Sequence, residues 1–442
     1  MIQQTKAIVP QLESILSPSS VCSWEKIEAS QLSILGEVVS KITPPACIIY
    51  PQTQAELAEA IACANKNRWR VLPCGSGSKL SWGSAPKGID VVISTEKLDR
   101  AIEHAVGDLT LTVEAGTKFS KIQENITKTG QFLALDPAYS QKATLGGIVA
   151  TADAGSLRQR YGGVRDMLLG ISFVRYDGQI AKAGGRVVKN VAGYDLMKLF
   201  TGSFGTLGII TQLTFRLYPM PEASQTVVLI GTSDNIAQTA KTLLASALTP
   251  TAIDLLSTEL VNRLGLGKGM GLIARFQSVA ESVQEQSARL LEVGEKLSLA
   301  GSSLSGNEEN NLWEQLEKSI WGEEKESAIA CKIGVLPTAA VATLTELDKI
   351  ASQQGIGLIH ASSGLGIWRF ENSEIKPQSI LEMRNFCQSK NGFLTVLEAP
   401  LAWKEKLDVW GYSGNALDLM RRIKQQFDPE NIFSPHRFVG GI

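Results

Sequence analysis

Three glycine-rich segments, at residues 73–83, 136–170 and 184–208, contain residue types that can hold a polar ligand through the backbone. Between Thr144 and Gly155 the second segment carries almost no large side chain, so another group can approach its backbone closely. Peptide N–H groups exposed in such loops form concave sites that bind phosphate oxygens. Two ordinary turns would explain the Gly146-Gly147 pair if it stood alone.

The first of these segments, PCGSGSKLSWG, follows a short predicted strand at 69–72. It is not a Walker loop, because no glycine directly precedes Lys79. It is not a complete G-x-G-x-x-G motif either, because Leu80 stands where the last glycine belongs. Alone, it is better explained as a strand-ending turn. Three such segments within one domain-sized stretch instead indicate that the backbone binds an extended polar ligand.

Composition describes an ordinary globular protein and excludes several function classes. The chain has 442 residues, enough for about two to three domains, with 44% hydrophobic and 20% charged residues. A net charge of −1 argues against nucleic acid or an anionic membrane as a partner. Six cysteines without a C-x-x-C pair argue against zinc or iron–sulfur frameworks and indicate a reducing compartment. With no apolar run of membrane-spanning length and no export signal, we expect a cytoplasmic protein.

Apolar periodicity predicts an α+β protein with four regions. These are a helical lead-in at 1–39, a domain holding the glycine-rich segments at 40–222, a second domain at 223–400 and a tail at 401–442. In the second domain, alternating strands and helices predict a ferredoxin-like antiparallel sheet with helices packed on one face. The polar stretch GSSLSGNEENN at 301–311 is predicted to be a long loop within it.

The tail contains an amphipathic helix at 415–427, NALDLMRRIKQQF. We expect its apolar face to dock on the first domain and its basic face to stay free for solvent or a neighbour. The apolar face carries Leu417, Met420, Ile423 and Phe427, and the basic face carries Arg421, Arg422 and Lys424.

A family resemblance rests on motifs that occur in a fixed order along 40–222. They are PCGSGSKLSWG, DPAYSQKATLGGIVATADAG, RYGGVRDMLLG and KNVAGYDLMKLFTGSFGTLGIIT, and they resemble the PCMH-type FAD-binding domain of the vanillyl-alcohol oxidase superfamily. Within that superfamily, GGRVVKNVAGYDLMKLFTGSFGTLGII resembles the FAD-binding E-type subunit of bacterial glycolate oxidase. The tail sequence IKQQFDPENIFSPHRF resembles the closing motif that returns to the FAD domain.

The resemblance implies an FAD site whose contacts come mostly from the backbone. Gly75, Ser76, Gly77 and Ser78 would give N–H groups to the diphosphate, and Ile209 and Ile210 would bracket the adenine. The remaining implied contacts, along the flavin and its phosphates, are Pro137, Thr144, Gly146, Gly147, Asp153, Gly155, Tyr161 and Gly162. A β-branched side chain at Gly146 or Gly147 is therefore expected to abolish FAD retention.

The resemblance also implies a substrate site in the second domain, where relatives that oxidise 2-hydroxy acids carry a histidine-rich strand and a Glu-His-Gly motif. The corresponding stretches here are HASSGLGIWRF at 360–370 and FLTVLEAP at 393–400, and they retain only His360 and Glu398. We expect no histidine-based metal site, since the chain has only three histidines.

The roles of the retained residues stay open. His360 could be a general base, or a histidine at a strand end without a catalytic task. Arg369 could clamp a substrate carboxylate or be a solvated surface residue. Glu398 could orient a base or pair with a neighbour.

Two functions follow from this resemblance. In the first, the chain is the FAD-binding subunit of a glycolate oxidase complex and passes on electrons from 2-hydroxy acid oxidation, with a catalytic flavin subunit and an iron–sulfur subunit as its partners. Such a complex would place it in the cytoplasm or peripherally at the inner face of the membrane. In the second, the chain alone oxidises glycolate or D-lactate. A reductase of a cell-wall sugar nucleotide, which has the same flavin fold, would need a shorter second domain with a proton-donating Ser and Glu.

We predict that acid denaturation releases all of the flavin from the protein. Relatives with covalent FAD carry a His in the first loop or a Cys in the second, whereas this chain has no cysteine between 75 and 330. The measurement is the absorbance of the supernatant and of the precipitate after acid treatment. Yellow colour that stays with washed precipitate would contradict non-covalent binding.

Overall fold

The computed structural model describes residues 2–27, 44–186, 193–322, 328–352, 354–371 and 375–442. Part of the predicted lead-in and the centre of GGRVVKNVAGYD lie outside these residues. The strands are, in chain order, β1 Val21–Ser23, β2 Cys47–Ile49, β3 Val71–Cys74, β4 Val91–Ser94, β5 Ala101–Ala105, β6 Thr110–Glu114, β7 Gln131–Phe132, β8 Leu168–Val174, β9 Ile180–Gly184, β10 Ile209–Arg216, β11 Tyr218–Pro219, β12 Ala223–Gly231, β13 Ala252–Leu256, β14 Met270–Ser278, β15 Ala300–Ser305, β16 Ile329–Gly334, β17 Ile356–His360, β18 Leu365–Phe370 and β19 Phe393–Glu398.

The helices are numbered in chain order as well. They are α1 Ile2–Glu13, α2 Gln54–Asn67, α3 Phe119–Thr127, α4 Leu145–Thr151, α5 Arg158–Tyr161, α6 Val164–Met167, α7 Leu196–Phe200, α8 Ser233–Leu244, α9 Thr258–Arg263, α10 Ala280–Lys296, α11 Gly306–Trp321, α12 Ala340–Ile350, α13 Pro377–Ser389, α14 Leu401–Lys404 and α15 Leu417–Phe427. No helix within the described ranges is long and apolar enough to cross a membrane.

The chain forms two compact units with different topologies. The first unit comprises 1–154, 163–220 and 412–442, and the second comprises 155–162 and 221–411. The tail therefore belongs with the first unit from Tyr412 onward, while 401–411 and the short segment 155–162 belong to the second.

The first unit is built on two main sheets. One has the order β1-β2-β4-β3, with β2, β4 and β3 parallel, and the other has the antiparallel order β5-β6-β10-β8-β9. Helix α2 begins after Thr53, which caps it, because Thr53 Oγ1 accepts a hydrogen bond from Glu56 N at 3.1 Å. Its buried face, Leu57, Ile61 and Ala64, joins a core with residues of β2, β3 and β4.

The second unit is one large antiparallel sheet in the order β15-β12-β14-β13-β17-β18-β16-β19. Helices α8, α10, α12 and α13 pack on one face, as the sequence pattern predicted. The opposite face is covered in part by α9 and α11, whose Leu260, Leu312 and Leu316 join a second core with Ile273 and Leu358. The helices therefore lie on both faces, which the sequence pattern did not indicate.

The predicted long loop at 301–311 is wrong. Residues 300–305 form the edge strand β15, and α11 begins at Gly306. An edge strand pairs through its backbone on one side only, and this one is largely exposed, so it shows no apolar alternation. Its polar sequence consequently looked like a loop.

The docking of the tail helix α15 agrees with the prediction on its apolar face and differs from it on its basic face. Phe427, on the apolar face, packs edge-on against Phe200 with ring centroids 5.8 Å apart. Lys424, predicted on the free basic face, is instead buried, and its Nζ donates to Asp428 Oδ2 at 2.5 Å and to Phe433 O at 2.8 Å. A helical wheel cannot anticipate that the following chain folds back over this position.

We expect Lys424→Met to lower the free energy of unfolding by about 3 kcal/mol or more, because it leaves the buried Asp428 carboxylate without its cation. The measurement is urea unfolding. Arg422→Met on the exposed side of the same helix is the control, with an expected change within about 0.5 kcal/mol. Equal effects of the two substitutions would mean that the buried pair is not what fastens the tail.

Candidate functional site

The first unit contains a cavity where the glycine-rich segments meet. It has about 680 Å³ of empty volume, part of it open to solvent. Its lining residues are Pro73, Cys74, Gly75, Ser76, Gly77, Ser78, Lys79, Leu80, Thr95, Thr144, Gly146, Gly147, Ala150, Thr151, Phe204, Gly205, Gly208, Ile209, Ile210 and Arg437. The predicted positions 75–78, Thr144, Gly146, Gly147, Ile209 and Ile210 are therefore brought together in one place.

The loop after β3 offers backbone donors to this cavity. The N–H groups of Gly77, Ser78 and Lys79 make no hydrogen bond to any other described residue. Gly77 has a φ of 83°, in the left-handed region that favours glycine. At Gly75 a Cβ atom would lie 2.0 Å from Thr144 Oγ1, so only glycine lets this loop lie against α4. The resulting concave row of N–H groups suits an anion.

The two neighbouring glycines of α4 serve different purposes. Thr144 caps this helix, since its Oγ1 accepts from Gly147 N at 3.3 Å. A Cβ atom on Gly146 would lie 2.8 Å from the Cβ of Ala115, whereas on Gly147 it would approach only Thr144 Oγ1, at 3.2 Å. Gly146 thus allows close packing against the end of β6, and only a side chain on Gly147 would enter the cavity. Neither glycine has a positive φ, so backbone strain contributes nothing to the effect of a substitution at either position.

A buried ion pair joins the first two glycine-rich segments. Lys79 Nζ lies 2.5 Å from Asp153 Oδ2, and both side chains are buried. The same carboxylate oxygen accepts from Ala138 N at 2.8 Å. Burial lowers the pKa of Lys79, while the charge of Asp153 opposes that shift. Asp153 was predicted to contact the cofactor directly; it is not among the lining residues, and its carboxylate neutralises Lys79.

The other predicted contacts are not among the lining residues. Pro137 is buried next to Ala138, and Gly155, Tyr161 and Gly162 belong to the second unit. There, α5 lies beside β13 of the large sheet.

Sequence reasoning missed Arg437 and Cys74 in the cavity lining. The closing motif brings Arg437 there, since Val71 N donates to Ile432 O at 2.7 Å and Ser434 N donates to Val71 O at 2.9 Å, beside β3. The arginine inside a motif already recognised as returning to this domain was a usable signal. Burial raises the pKa of Cys74 to about 12, so it is a neutral thiol near pH 7 and a poor nucleophile.

The second unit holds a chain of hydrogen bonds centred on Asp254. His360 Nδ1 lies 2.6 Å from Asp254 Oδ1, and Ser156 Oγ donates to Asp254 Oδ2 at 2.5 Å. Asp254 is fully buried, and β13 places it directly opposite His360 on β17. A proton on Nδ1 leaves the ring's lone pair on Nε2, the state that a general base needs. Neither Asp254 nor Ser156 was predicted, because contacts between residues far apart in the chain leave no mark in a single sequence.

Arg369 and Glu398 form a separate buried pair. Arg369 Nη1 donates to Glu398 Oε2 at 2.9 Å, and both residues lie opposite Ala330 of β16. Arg369 is only 4% exposed, so its interpretation as a solvated surface residue is wrong. In the β17–β18 ladder Arg369 pairs with Ile356, which places it about 13 Å along the strands from His360. The three predicted catalytic residues therefore form two clusters rather than one.

No group of three or more His, Cys, Asp or Glu side chains that could hold a metal ion occurs in the described part of the chain.

We expect Gly147→Val to abolish flavin retention while the protein stays folded, because the new side chain would enter the cavity. Gly146→Val should instead lower the thermal unfolding temperature, because its side chain would meet Ala115. The measurements are flavin content per protein and the thermal transition. Normal flavin content in soluble Gly147→Val would show that this stretch is only a turn.

Comparison with known proteins supports an FAD site. Residues 45–184 match the model of an FAD binding domain, and residues 409–438 match the C-terminal domain of FAD linked oxidases. Glycolate oxidase subunit GlcD of Bacillus subtilis is 25% identical, over 88% of this chain and 88% of that protein. The mitochondrial D-lactate dehydrogenase [cytochrome] of Arabidopsis thaliana is 25% identical, over 99% of this chain and 81% of that protein.

A solved structure shows the same fold. The crystal structure of p-cresol methylhydroxylase with substrate bound aligns with a TM-score of 0.76 and 15% identity, over 99% of this chain and 97% of that one. The predicted α+β fold and the predicted FAD cofactor are therefore confirmed. The chain carries the FAD binding domain and the C-terminal domain of the FAD linked oxidases, and it is an FAD-linked oxidoreductase.

Proposed function

We propose that the chain is the FAD-bearing subunit of a complex that oxidises a small 2-hydroxy acid, glycolate or D-lactate. The substrate class follows from the two relatives named above, a glycolate oxidase subunit and a D-lactate dehydrogenase. The observation that carries the subunit role is the buried Arg369–Glu398 pair, because it engages the arginine that a substrate carboxylate would otherwise bind.

The residues of the cavity fit FAD. The N–H groups of Gly75, Ser76, Gly77 and Ser78 would bind the diphosphate, Thr144 and Gly147 would line it, and Ile209 and Ile210 would bracket the adenine. Asp153 would act through Lys79, and the contributions of Pro137, Gly155, Tyr161 and Gly162 stay predictions. When bound, FAD supplies a two-electron acceptor for the hydrogen on the hydroxyl-bearing carbon.

Pairing with Glu398 changes what Arg369 can do. A guanidinium that already donates to a buried carboxylate gains little from a second carboxylate, which would also bring a like charge beside Glu398. Weak binding of a hydroxy acid in this unit favours a chain that receives electrons from a catalytic flavin subunit. The electrons would then pass to an iron–sulfur subunit or another acceptor.

A second function, a complete dehydrogenase, is favoured by the His360–Asp254 pair. With Asp254 holding Nδ1–H, the Nε2 atom of His360 would accept the hydroxyl proton as the substrate is oxidised. Asp254 would then stabilise the imidazolium that forms. In that case Ser156 holds the second oxygen of the Asp254 carboxylate and so keeps it oriented.

Anaerobic mixing of the purified chain with glycolate or D-lactate separates the two functions. We expect slow or no loss of the flavin's visible absorbance with the chain alone. Rapid turnover should appear when a catalytic flavin subunit and an iron–sulfur subunit are co-expressed with it. The measurement is flavin bleaching, followed by dye reduction.

Variants make this experiment decisive. If the isolated chain is bleached rapidly, and if His360→Ala and Asp254→Asn both remove that reaction, the subunit role is wrong and the chain is a complete dehydrogenase. His104→Ala is the matched control, since His104 lies on β5 of the first unit and bonds to Gln131. It should leave bleaching unchanged.

A further inference from the structure

Arg437 is a buried cation with an unused donor in the wall of the FAD cavity. It is 4% exposed and lines the cavity. Its Nη2 donates to Leu80 O at 2.8 Å and to Lys79 O at 3.4 Å. Its Nη1 is buried and has no hydrogen-bond partner among the described residues. Buried polar groups in native proteins almost always have a hydrogen-bond partner. The unpartnered Nη1 therefore indicates that a ligand atom accepts its hydrogen bond.

The charge of Arg437 also lacks a counterion. No carboxylate of the described residues forms an ion pair with it, and the nearby cation Lys79 already has Asp153 as its partner. Burial lowers the pKa of Arg437 to about 10, so the guanidinium still carries its charge at neutral pH. A buried cation without an anion is unfavourable. The site is therefore complete only when an anion occupies it.

The backbone around Arg437 is fixed before any ligand binds. Ser434 and His436 have φ values of 45° and 67°, left-handed conformations that are unfavourable for residues other than glycine. Asp428 holds the preceding turn, because Oδ2 accepts from Phe433 N at 2.8 Å. Ser84 N donates to Arg437 O at 3.2 Å. A strained segment held by this many bonds positions the guanidinium in advance.

We propose that Arg437 donates from Nη1 to an oxygen of the FAD diphosphate. Its Nη2 bonds to carbonyls of the loop whose N–H groups at Gly77, Ser78 and Lys79 face the same cavity, so both donor sets converge near that loop. A diphosphate carries its negative charge in every redox state of the cofactor. The proposal rests on FAD binding and is independent of the substrate.

Removal of the charge tests this directly. Arg437→Met in the full chain should speed FAD release on dilution and weaken binding of ADP, which has the diphosphate but no flavin. A lost charge-assisted hydrogen bond corresponds to roughly a tenfold to hundredfold change in both affinities. Flavin fluorescence measures the release of FAD. The rise in thermal unfolding temperature on addition of ADP measures the binding of ADP. Arg421→Met, an exposed arginine on α15, should change neither.

Further variants guard against a folding artefact. Arg437→Lys keeps the charge and should recover part of both affinities. If Arg437→Met is insoluble, Arg437→Gln should show the same joint loss in FAD and ADP affinity. Unchanged ADP affinity in these variants would overturn the proposal. The proposal would also be overturned if these variants lost FAD more slowly than the unaltered chain and had a shifted flavin reduction potential. That result would place Arg437 at the flavin ring.

Discussion

The ion pair between Lys79 and Asp153 is the constraint on which the cofactor cavity depends. It connects the loop after β3 to the segment that follows α4, and both of its side chains are buried. The small side chains of a glycine-rich loop contribute little to the stability of its conformation, so contacts with another segment must stabilise it. Here the cation comes from the loop itself and the carboxylate from the next segment. The loop therefore keeps the conformation in which the N–H groups of Gly77 and Ser78 face the cavity.

The tail completes the same arrangement from the other end of the chain. Lys424 and Asp428 form a buried pair that holds the turn before Phe433, and Arg437 then bonds to the carbonyls of Lys79 and Leu80. Buried charges in this unit thus serve to order loops that lack regular hydrogen bonding. Arg437 differs from the lysines because no protein carboxylate pairs with it in the described structure.

The second unit separates its polar groups along one sheet. Asp254 and His360 lie on β13 and β17, with Ser156 bonded to Asp254, while Arg369 and Glu398 flank β16. An imidazole held by a buried carboxylate is suited to proton transfer, whereas a guanidinium already paired with a carboxylate is suited to structural support. The two clusters are therefore suited to different tasks, proton transfer in one and structural support in the other.

The amino-acid sequence by itself determined the α+β class, most strands and helices of both units, the FAD cofactor and several of the residues that line the cavity. Those features depend on local periodicity, on glycine and on motif order, which a sequence displays directly. Only the tertiary structure decided that 300–305 is an edge strand, that Lys424 is buried and that Gly146 packs against Ala115. It alone brought Asp254 opposite His360 and Arg437 beside Leu80. Such contacts join residues far apart in the chain, and their partners are set by sheet register and by the path of the tail.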